Sequence, residues 1–331
     1  MTRTLDFVVP DGIDDPLRPS GGNVYDRRVC DVLAGSGWSV REHPVRSRAA
    51  LATALGALPD SALVLVDGLV VVGAAEAVEP EAGRLRLVVL LHMPVEEPAV
   101  LAAAAAVVTT SRWTRDWLVD TYALPVGRVH VAEPGTDAAD LAPGTAAGGE
   151  LLCVGAVTAG KGQDVLIAAL ATIADLPWRC VCVGALDLEP GFVKELRGRV
   201  TEHGLVDRVC FTGALGGWDL DAAYAGGDLL VSASRAEAYG MVVTEALARG
   251  LPVVATDIGG VSEALGRTER GRPGLLVPPD DASALAAGLR LWLADSDRRD
   301  RLRSAARVRR PTLPGWRDAA HRLACVLADI T

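Results

Sequence analysis

Short apolar runs alternate with longer Ala- and Leu-rich stretches along most of the chain. In the first half, the runs that fit β-strands are TLDFVV, WSVREH, SALVLVD, LRLVVLL, AAVVTT and RVHVAE. The stretches between them have the composition and spacing of helices. Regular alternation of this kind is typical of parallel α/β sheets, in which a helix connects each strand to the next.

The alternation stops once and then resumes. Residues 134–150, PGTDAADLAPGTAAGGE, are rich in Gly, Pro and small residues, as domain linkers are. Six further strand-like runs follow: ELLCVGA, WRCVCVG, RVCFTG, DLLVSAS, PVVATD and GLLVPP. We therefore predict two doubly wound α/β domains, over residues 1–140 and 141–310, with a ligand-binding cleft between them, because ligands of open α/β sheets bind beyond the carboxyl ends of the strands.

Composition and charge limit the classes of function. With 331 residues, 50% of them hydrophobic, the chain is long enough for two cores. A net charge of −9 argues against nucleic acid or an anionic membrane as the main partner. No stretch reaches the roughly 18 apolar residues of a membrane helix, and MTRTLDFVVPDG is too short an apolar run for a signal peptide. We expect a cytoplasmic protein with no integral membrane segment.

Two glutamates flank the start of a predicted helix within SRAEAYGMVVTEALARGLPVVAT, residues 234–256. Glu237 precedes the helix that begins near Gly240, and Glu245 lies inside it. A helix N-terminus offers unpaired amides to an anion, and a carboxylate can accept two hydrogen bonds from a sugar diol. The spacing suits a ligand with a sugar at one end, a diphosphate in the middle and a ribose at the other. Taken alone, two solvated glutamates are the commoner explanation.

The same stretch resembles the Glu-x7-Glu motif of the retaining GT-B glycosyltransferases of family 4, the group 1 glycosyltransferases. Other segments are similar to that family in the same order, among them PSGGNVYDRRVCDVLAGSGWSV, LLCVGAVTAGKGQDVLIAAL, GGVSEAL and PGWRDAAHRLACVL. The resemblance implies the GT-B fold: two Rossmann-like domains facing across a cleft, with a C-terminal helix over 311–331 that packs back toward the first domain. It also implies transfer of a sugar, with retention, from a UDP-, GDP- or ADP-sugar to an acceptor hydroxyl.

The resemblance assigns roles to individual residues. The diphosphate lysine of the family matches Lys161, the ribose-binding acid matches Glu245, and the donor-sugar acid matches Glu237. Other family positions match Gly21 and Gly22 in a loop near the donor phosphates, Gly240, Met241 and Val242 as amide donors, and His92 near the reacting sugar. Without the resemblance, Lys161 is a surface lysine, Gly21–Gly22 a turn and His92 a structural histidine. The family needs no metal ion or cofactor.

One position departs from the family and leaves alternatives open. Ala156 stands where the family commonly has an arginine that contacts the diphosphate, so Lys161 and helix amides act there alone or Arg235 assists. The alternatives to a glycosyltransferase are a GT-B sugar-nucleotide epimerase or phosphorylase and, in another class, a catalytically silent sugar-nucleotide-binding protein. The base, the sugar, the acceptor and the oligomeric state do not follow from the sequence.

Overall fold

A computed structural model describes residues 3–17 and 19–330. Its strands form two parallel six-stranded sheets, which confirms the predicted α/β class. Each of the twelve predicted runs overlaps a strand. The chain divides into two compact units: unit 1 takes the described residues of 1–15, 20–135 and 314–331, and unit 2 those of 16–19 and 136–313.

Unit 1 is built on a sheet with the strand order β2-β1-β3-β4-β5-β6. The strands are β1 (Arg3–Pro10), β2 (Trp38–Val45), β3 (Leu63–Asp67), β4 (Arg86–Leu91), β5 (Ala106–Thr109) and β6 (Val129–Val131). The helices are α1 (Gly21–Ala34), α2 (Arg48–Gly56), α3 (Gly68–Val71), α4 (Ala75–Val78), α5 (Pro98–Ala103), α6 (Arg112–Tyr122) and α14 (Trp316–Ile330). The order of the strands reverses between β1 and β3, which pair side by side.

The sequence of unit 1 explains these elements locally. Apolar residues fill β3 and β4 almost continuously, because both faces of a parallel sheet are covered by helices. Serine side chains begin three of the helices by accepting a hydrogen bond from a first-turn amide: Ser20 for α1, Ser47 for α2 and Ser111 for α6. These caps place the first turn of each helix at the carboxyl end of the preceding strand.

The helix α14 belongs to unit 1 although it follows the whole of unit 2 in the chain. It packs against α1. Its buried side chains are Trp316, Ala319, Ala320, Leu323, Val326 and Leu327, which recur at the spacing of one helix face. On the α1 side, the Tyr25 ring meets the Trp316 ring edge to face at 5.9 Å.

Unit 2 has the strand order β12-β11-β10-β7-β8-β9. Its strands are β7 (Glu150–Val154), β8 (Arg179–Val183), β9 (Val209–Gly213), β10 (Leu229–Ser232), β11 (Val253–Thr256) and β12 (Gly274–Val277). Its helices are α7 (Gln163–Thr172), α8 (Pro190–Glu202), α9 (Gly217–Ala225), α10 (Met241–Ala248), α11 (Val261–Leu265), α12 (Ala282–Ala294) and α13 (Ser296–Arg309). Here the order reverses between β7 and β10, which are neighbours.

The two faces of the unit 2 sheet carry separate cores. Leu151 and Cys153 of β7 join one cluster, with Leu166 of α7 and Leu289 of α12. Leu152, between them, joins the cluster on the other face. This period of two is the side-chain alternation of a β-strand. The sheet is therefore buried on both sides, and its carboxyl edge is where side chains can reach a ligand.

Within residues 3–17 and 19–330, no helix combines the length and the apolar character needed to cross a bilayer.

Candidate active-site residues

Lys161 and Glu237 meet at the carboxyl edge of the unit 2 sheet, where the strand order reverses. Lys161 ends a 3₁₀ turn, Ala159–Lys161, after β7, and Glu237 lies in the loop after β10. Lys161 Nζ donates to Glu237 Oε1 over 2.6 Å, and Ser234 Oγ donates to the same oxygen over 2.9 Å. Ligands of open α/β sheets bind at this kind of reversal. Two residues assigned on separate motifs thus form one ion pair.

The ion pair remains open to a ligand on its lysine side. The Lys161 side chain is 37% exposed and that of Glu237 is 11% exposed. A salt bridge with one exposed partner contributes little net stability, so Lys161 can exchange Glu237 for another anion at small cost. The ion pair is therefore a contact that Lys161 can give up when another anion binds.

Two glycines allow the loops that carry Lys161 and Glu237 to pack closely against neighbouring backbone. At Gly162, which precedes α7 with φ +67°, a Cβ would lie 2.0 Å from the Ala233 carbonyl oxygen. At Gly259, with φ +56°, a Cβ would lie 1.6 Å from the Glu237 carbonyl oxygen. Left-handed backbone favours glycine, and neither site has room for a methyl group. Both glycines consequently fix the loops that carry Lys161 and Glu237.

The N-terminus of α10 begins directly after this loop. Gly240 precedes it with φ +93°, and no side chain caps it. The first amides of a helix have no acceptor within the helix, so those of Met241 and Val242 are available to an outside acceptor. The Val243 amide instead donates to the Gly240 carbonyl over 2.9 Å. The predicted amide donors thus lie at a helix start, as the sequence indicated.

Glu245 lies one turn further along α10 and has a partner that the sequence did not reveal. Its Oε2 accepts a hydrogen bond from the buried Tyr224 hydroxyl over 2.6 Å. Burial raises the pKa of Glu245, although Tyr224 and Arg249 act against the shift. The Arg249 guanidinium lies over the Tyr224 ring, 4.4 Å from its centroid, and pairs with Asp221. Glu245 is therefore a positioned carboxylate rather than a freely solvated one.

The arginine considered as a substitute at the diphosphate, Arg235, is already engaged. It makes a two-pronged pair with Asp164 over 2.8 and 2.9 Å, and its Nε donates to Asp280 over 2.5 Å. These hydrogen bonds raise the pKa of Arg235 above its ordinary value, and the bond to Asp164 has the larger effect. The carbonyl oxygen of Ala156 accepts a hydrogen bond from the side-chain amide of Gln163, Nε2, over 3.0 Å. Arg235 thus ties the loop after β10 to α7, and its assistance at the diphosphate stays a prediction.

In unit 1, His92 lies between two buried carboxylates. His92 Nε2 is 2.8 Å from Asp26 Oδ1 and 3.2 Å from Asp67 Oδ2. Asp26 projects from α1, Asp67 ends β3 and His92 follows β4, so the cluster lies at the carboxyl edge where the order of this sheet reverses. Asp67 also accepts from the Leu69 amide over 2.5 Å, which caps α3.

The predicted loop at Gly21–Gly22 is instead the first turn of α1. A Cβ on Gly22 would lie 2.9 Å from His92 Cδ2. The absence of a side chain at Gly22 thus makes room for the imidazole ring. This is a different reason for the glycine from the close approach to phosphate that the resemblance implied.

Burial and charge oppose each other within the His92 cluster. Burial alone would lower the pKa of His92, but the Asp26 and Asp67 carboxylates outweigh it and raise that pKa to about 10. Burial raises the pKa of Asp26 to about 7, against the effect of His92. The pKa of Asp67 is lowered, because hydrogen bonds to His92 and the Leu69 amide outweigh its burial. His92 is consequently an imidazolium at neutral pH.

The ligand atoms of Asp26, Asp67 and His92 lie within 4.8 Å of one another, close enough in principle to surround a metal ion. The distances from Nε2 to the two oxygens, however, are those of N–H···O hydrogen bonds. A proton on Nε2 accounts for both contacts.

Sequence comparison finds that part of this chain matches a known family model. Residues 148–309 match the family model described as glycosyl transferases group 1. A D-inositol 3-phosphate glycosyltransferase of Jonesia denitrificans is 32% identical over 232 residues, which are 64% of this chain and 54% of that protein. Two similar proteins of the same name have 59% and 58% of their length covered. The chain thus spans somewhat over half the length of these curated relatives.

Solved structures resemble the chain over nearly all of its length. Sucrose-phosphate synthase from Thermosynechococcus elongatus has a TM-score of 0.80 at 22% identity, with 99% of this chain and 98% of that chain covered. Anabaena HepE, solved in complex with UDP and glucose, has a TM-score of 0.75 at 20% identity, with 98% and 99% covered. At these identities the likeness concerns the fold. The chain therefore has the GT-B fold of two Rossmann-like units, and its residues 148–309 match the glycosyl transferases of group 1.

Proposed function

We propose that the protein is a retaining glycosyltransferase that moves a sugar from a nucleotide-diphosphate sugar to an acceptor hydroxyl. The observation that carries this proposal is the Lys161–Glu237 ion pair, 2.6 Å long, at the strand-order reversal of unit 2 and directly before the uncapped start of α10. A cation, free amides and a carboxylate at one sheet edge are the groups that a sugar diphosphate requires.

The diphosphate would bind to Lys161 and the first amides of α10. Negative charge on the diphosphate grows as the bond to the sugar breaks, so a cation and oriented amides stabilise the transition state more than the bound donor. Lys161 then exchanges its Glu237 partner for phosphate oxygen. Because Arg235 is held by Asp164 and Asp280, Lys161 carries most of this charge in unit 2.

The two glutamates would bind the two sugar ends of the donor. Glu245 offers the oxygen not held by Tyr224 to the ribose diol, and the Tyr224 hydroxyl fixes the plane of the carboxylate. Glu237 accepts from hydroxyls of the transferred sugar. Hydrogen bonds to a carboxylate contribute about 1.5–3 kcal/mol each, enough for either acid to decide affinity.

The transfer itself would proceed by front-face displacement without a metal ion or a cofactor. The bond between the anomeric carbon and the diphosphate oxygen breaks with its electrons on the phosphate. The acceptor oxygen bonds to the same face of that carbon, and its proton passes to the departing phosphate. This order of steps leaves the anomeric configuration unchanged and needs no side-chain nucleophile.

A donor panel tests the proposal in two stages. Thermal unfolding is followed with UDP-, GDP- and ADP-sugars, since a ligand at 100 times its Kd stabilises the folded state by about 2.7 kcal/mol. Donors that stabilise the protein are then incubated with acceptors, and anomeric proton couplings of the product are read by NMR. Because three relatives carry the name D-inositol 3-phosphate glycosyltransferase, that compound is the first acceptor to try.

The outcomes separate the alternatives. Transfer with retention supports the proposal, and transfer with inversion overturns the mechanism. Interconversion of two sugar nucleotides identifies an epimerase, and formation of sugar 1-phosphate from a glycoside and added inorganic phosphate identifies a phosphorylase. Stabilisation by a sugar nucleotide without hydrolysis or transfer identifies a silent binding protein.

A further inference from the structure

We infer that Asp26 and Asp67 are positioning residues that hold the His92 ring as a charged hydrogen-bond donor, with Nδ1–H as the group presented to a ligand. This inference deepens the proposed function, on which the identity of that ligand rests. It assigns roles to two carboxylates that neither the motif nor the resemblance singled out.

The geometry accounts for both ring nitrogens. Nε2 lies within hydrogen-bond distance of Asp26 and Asp67, so its proton is committed to the protein interior. Nδ1 makes no hydrogen bond within residues 3–17 and 19–330, and the side chain is 15% exposed. A doubly protonated ring therefore has a single N–H left to donate.

The carboxylates cannot turn away from the ring. Asp26 is fully buried and Asp67 is 2% exposed. Asp67 is held by the Leu69 amide, while the second oxygen of Asp26, Oδ2, has no hydrogen-bond partner among the described residues. Buried charge is costly unless it is paired, so the imidazolium is the counter-ion that makes this cluster stable.

The ring is also held on its faces. The α1 backbone at Gly22 packs against Cδ2, and the Tyr25 ring meets the imidazole at 5.1 Å with an interplanar angle of 61°. Tyr25 itself donates to the Ala132 carbonyl over 3.0 Å and rests on Trp316 of α14. The ring therefore has one orientation, and Nδ1 has one direction.

The titratable groups around His92 also bear on whether its ring is doubly protonated. Tyr25, on the α1 side, stays neutral because burial raises its pKa. Arg322, on α14, pairs with Glu133 over 2.7 Å. Asp26 and Asp67 are the groups in contact with the ring nitrogen; the pKa of Asp67 is lowered, whereas burial raises that of Asp26 to about 7.

The chemical consequence is that His92 is not a general base. A ring whose proton is held to a pKa of about 10 does not remove a proton from an acceptor hydroxyl at neutral pH. Its Nδ1–H instead recognises an acceptor atom: a hydroxyl oxygen of a sugar or an oxygen of a phosphate. This assignment agrees with the proposed reaction, in which the departing phosphate takes the proton.

The experiment is a histidine NMR titration of the intact chain without substrate. The chain has five histidines, and His92→Gln assigns the signals of interest. Nitrogen shifts of the ¹⁵N-labelled imidazoles are followed from pH 5 to 10. We expect His92 to remain charged beyond pH 8, whereas solvated histidines titrate near 6.5.

The variants Asp26→Asn and Asp67→Asn test the assigned cause. Each is expected to move the His92 titration to lower pH by one unit or more. The matched control is Asp6→Asn, because Asp6 is equally buried and contacts a different histidine, His43, over 2.8 Å. This control should leave His92 unchanged.

Three results would overturn the inference: a wild-type His92 that titrates near pH 6.5, Asn variants with an unmoved His92, or loss of the Nε2 proton on addition of one equivalent of Zn²⁺. The wild-type titration decides the matter even if an Asn variant does not fold. Since no substrate is present, the result is independent of whether the donor panel finds glycosyl transfer.

Discussion

At the scale of single residues, the ion pair between Lys161 and Glu237 changes what each substitution should do. The sequence marked both side chains as ligand contacts, but the contact between them depends on which strands are neighbours. In the structure they share a hydrogen bond of 2.6 Å. A substitution at one of them therefore changes the state of the other before any ligand binds.

The first prediction concerns Glu237→Gln. Because Lys161 loses its carboxylate partner, we expect the bare nucleotide diphosphate to bind with equal or several-fold higher affinity, while the sugar-bearing donor binds more weakly and turns over more slowly. Lys161→Ala should weaken both ligands and lower kcat. Calorimetry with each ligand measures the affinities. If Glu237→Gln lost the bare nucleotide diphosphate as Lys161→Ala does, the proposed order of groups along the donor would be wrong.

The second prediction concerns Tyr224→Phe. This variant keeps the ring under Arg249 and removes the hydroxyl that holds Glu245. The lost hydrogen bond orients Glu245 and does not touch the ligand, so nucleotide diphosphate affinity should fall by less than the roughly 1.5–3 kcal/mol of a direct hydrogen bond to a carboxylate, that is, roughly 2- to 10-fold. Glu245→Ala should cost more, because it removes the ligand contact itself. An unchanged affinity in Tyr224→Phe would show that the hydroxyl does not orient Glu245.

The third prediction concerns stability and pH. The pKa of His92 is about 10 in the folded protein and 6.5 ordinarily, so the folded state binds the extra proton between these values. Its stabilising contribution is complete below pH 6.5 and is lost as the pH rises through 10, by at most about 1.4 kcal/mol per pH unit. Urea unfolding at pH 7, 8 and 9 should show this decline in the wild type, and Asp26, whose pKa burial raises to about 7, adds to it near pH 7. A wild-type stability that does not fall between pH 7 and 9 would contradict the prediction.

At the scale of elements, the sequence predicted the strands well and the contacts between loops poorly. Short apolar runs such as PVVATD and GLLVPP are local signals, and β11 and β12 form where they occur. The meeting of Asp26, Asp67 and His92 depends on α1, β3 and β4 together. A single sequence contains no local signal for such a meeting. Tyr224 was missed for the same reason, since it reaches Glu245 from another helix.

The fourth prediction belongs to the loop between β7 and α7. Gly162→Ala would place a methyl group 2.0 Å from the Ala233 carbonyl oxygen in left-handed backbone. We expect a loss of more than about 1 kcal/mol of unfolding free energy and weaker donor binding, because the loop that carries Lys161 must move. Gly198→Ala is the matched control: it lies within α8, with open space around it, and should be neutral or slightly stabilising. Equal effects of the two variants would rule out the steric argument.

At the scale of the whole molecule, unit 1 is assembled from two distant parts of the chain. Residues 3–10 and 38–131 supply the strands of its sheet, and residues 316–330 supply the helix that packs against α1. The helix α14 also supports the His92 cluster indirectly, because the Tyr25 ring contacts both Trp316 of α14 and the imidazole of His92.

The fifth prediction tests whether the stability of unit 1 depends on the packing of α14. Leu323 is fully buried on α14, so Leu323→Ala should cost about 2–5 kcal/mol of the stability of unit 1. Arg317→Ala, exposed on the same helix, is the control and should have little effect. Histidine NMR separates the units during unfolding, because His43, His92, His130 and His321 lie in unit 1 and His203 lies in unit 2. Loss of all five signals at the same lowered midpoint would show that the two units unfold together.

The position of α14 also sets an order of events during synthesis. A ribosome makes roughly 5–20 residues per second, so the 178 residues of 136–313 take roughly 10–40 s after the last strand of unit 1 has been made. During that interval, Tyr25 lacks Trp316 and the apolar side of α1 has no cover. Unit 2, by contrast, is complete as soon as its own last residue has left the exit tunnel. The half-made protein therefore exposes the apolar side of α1 throughout this interval, and exposed apolar surface of this kind favours aggregation.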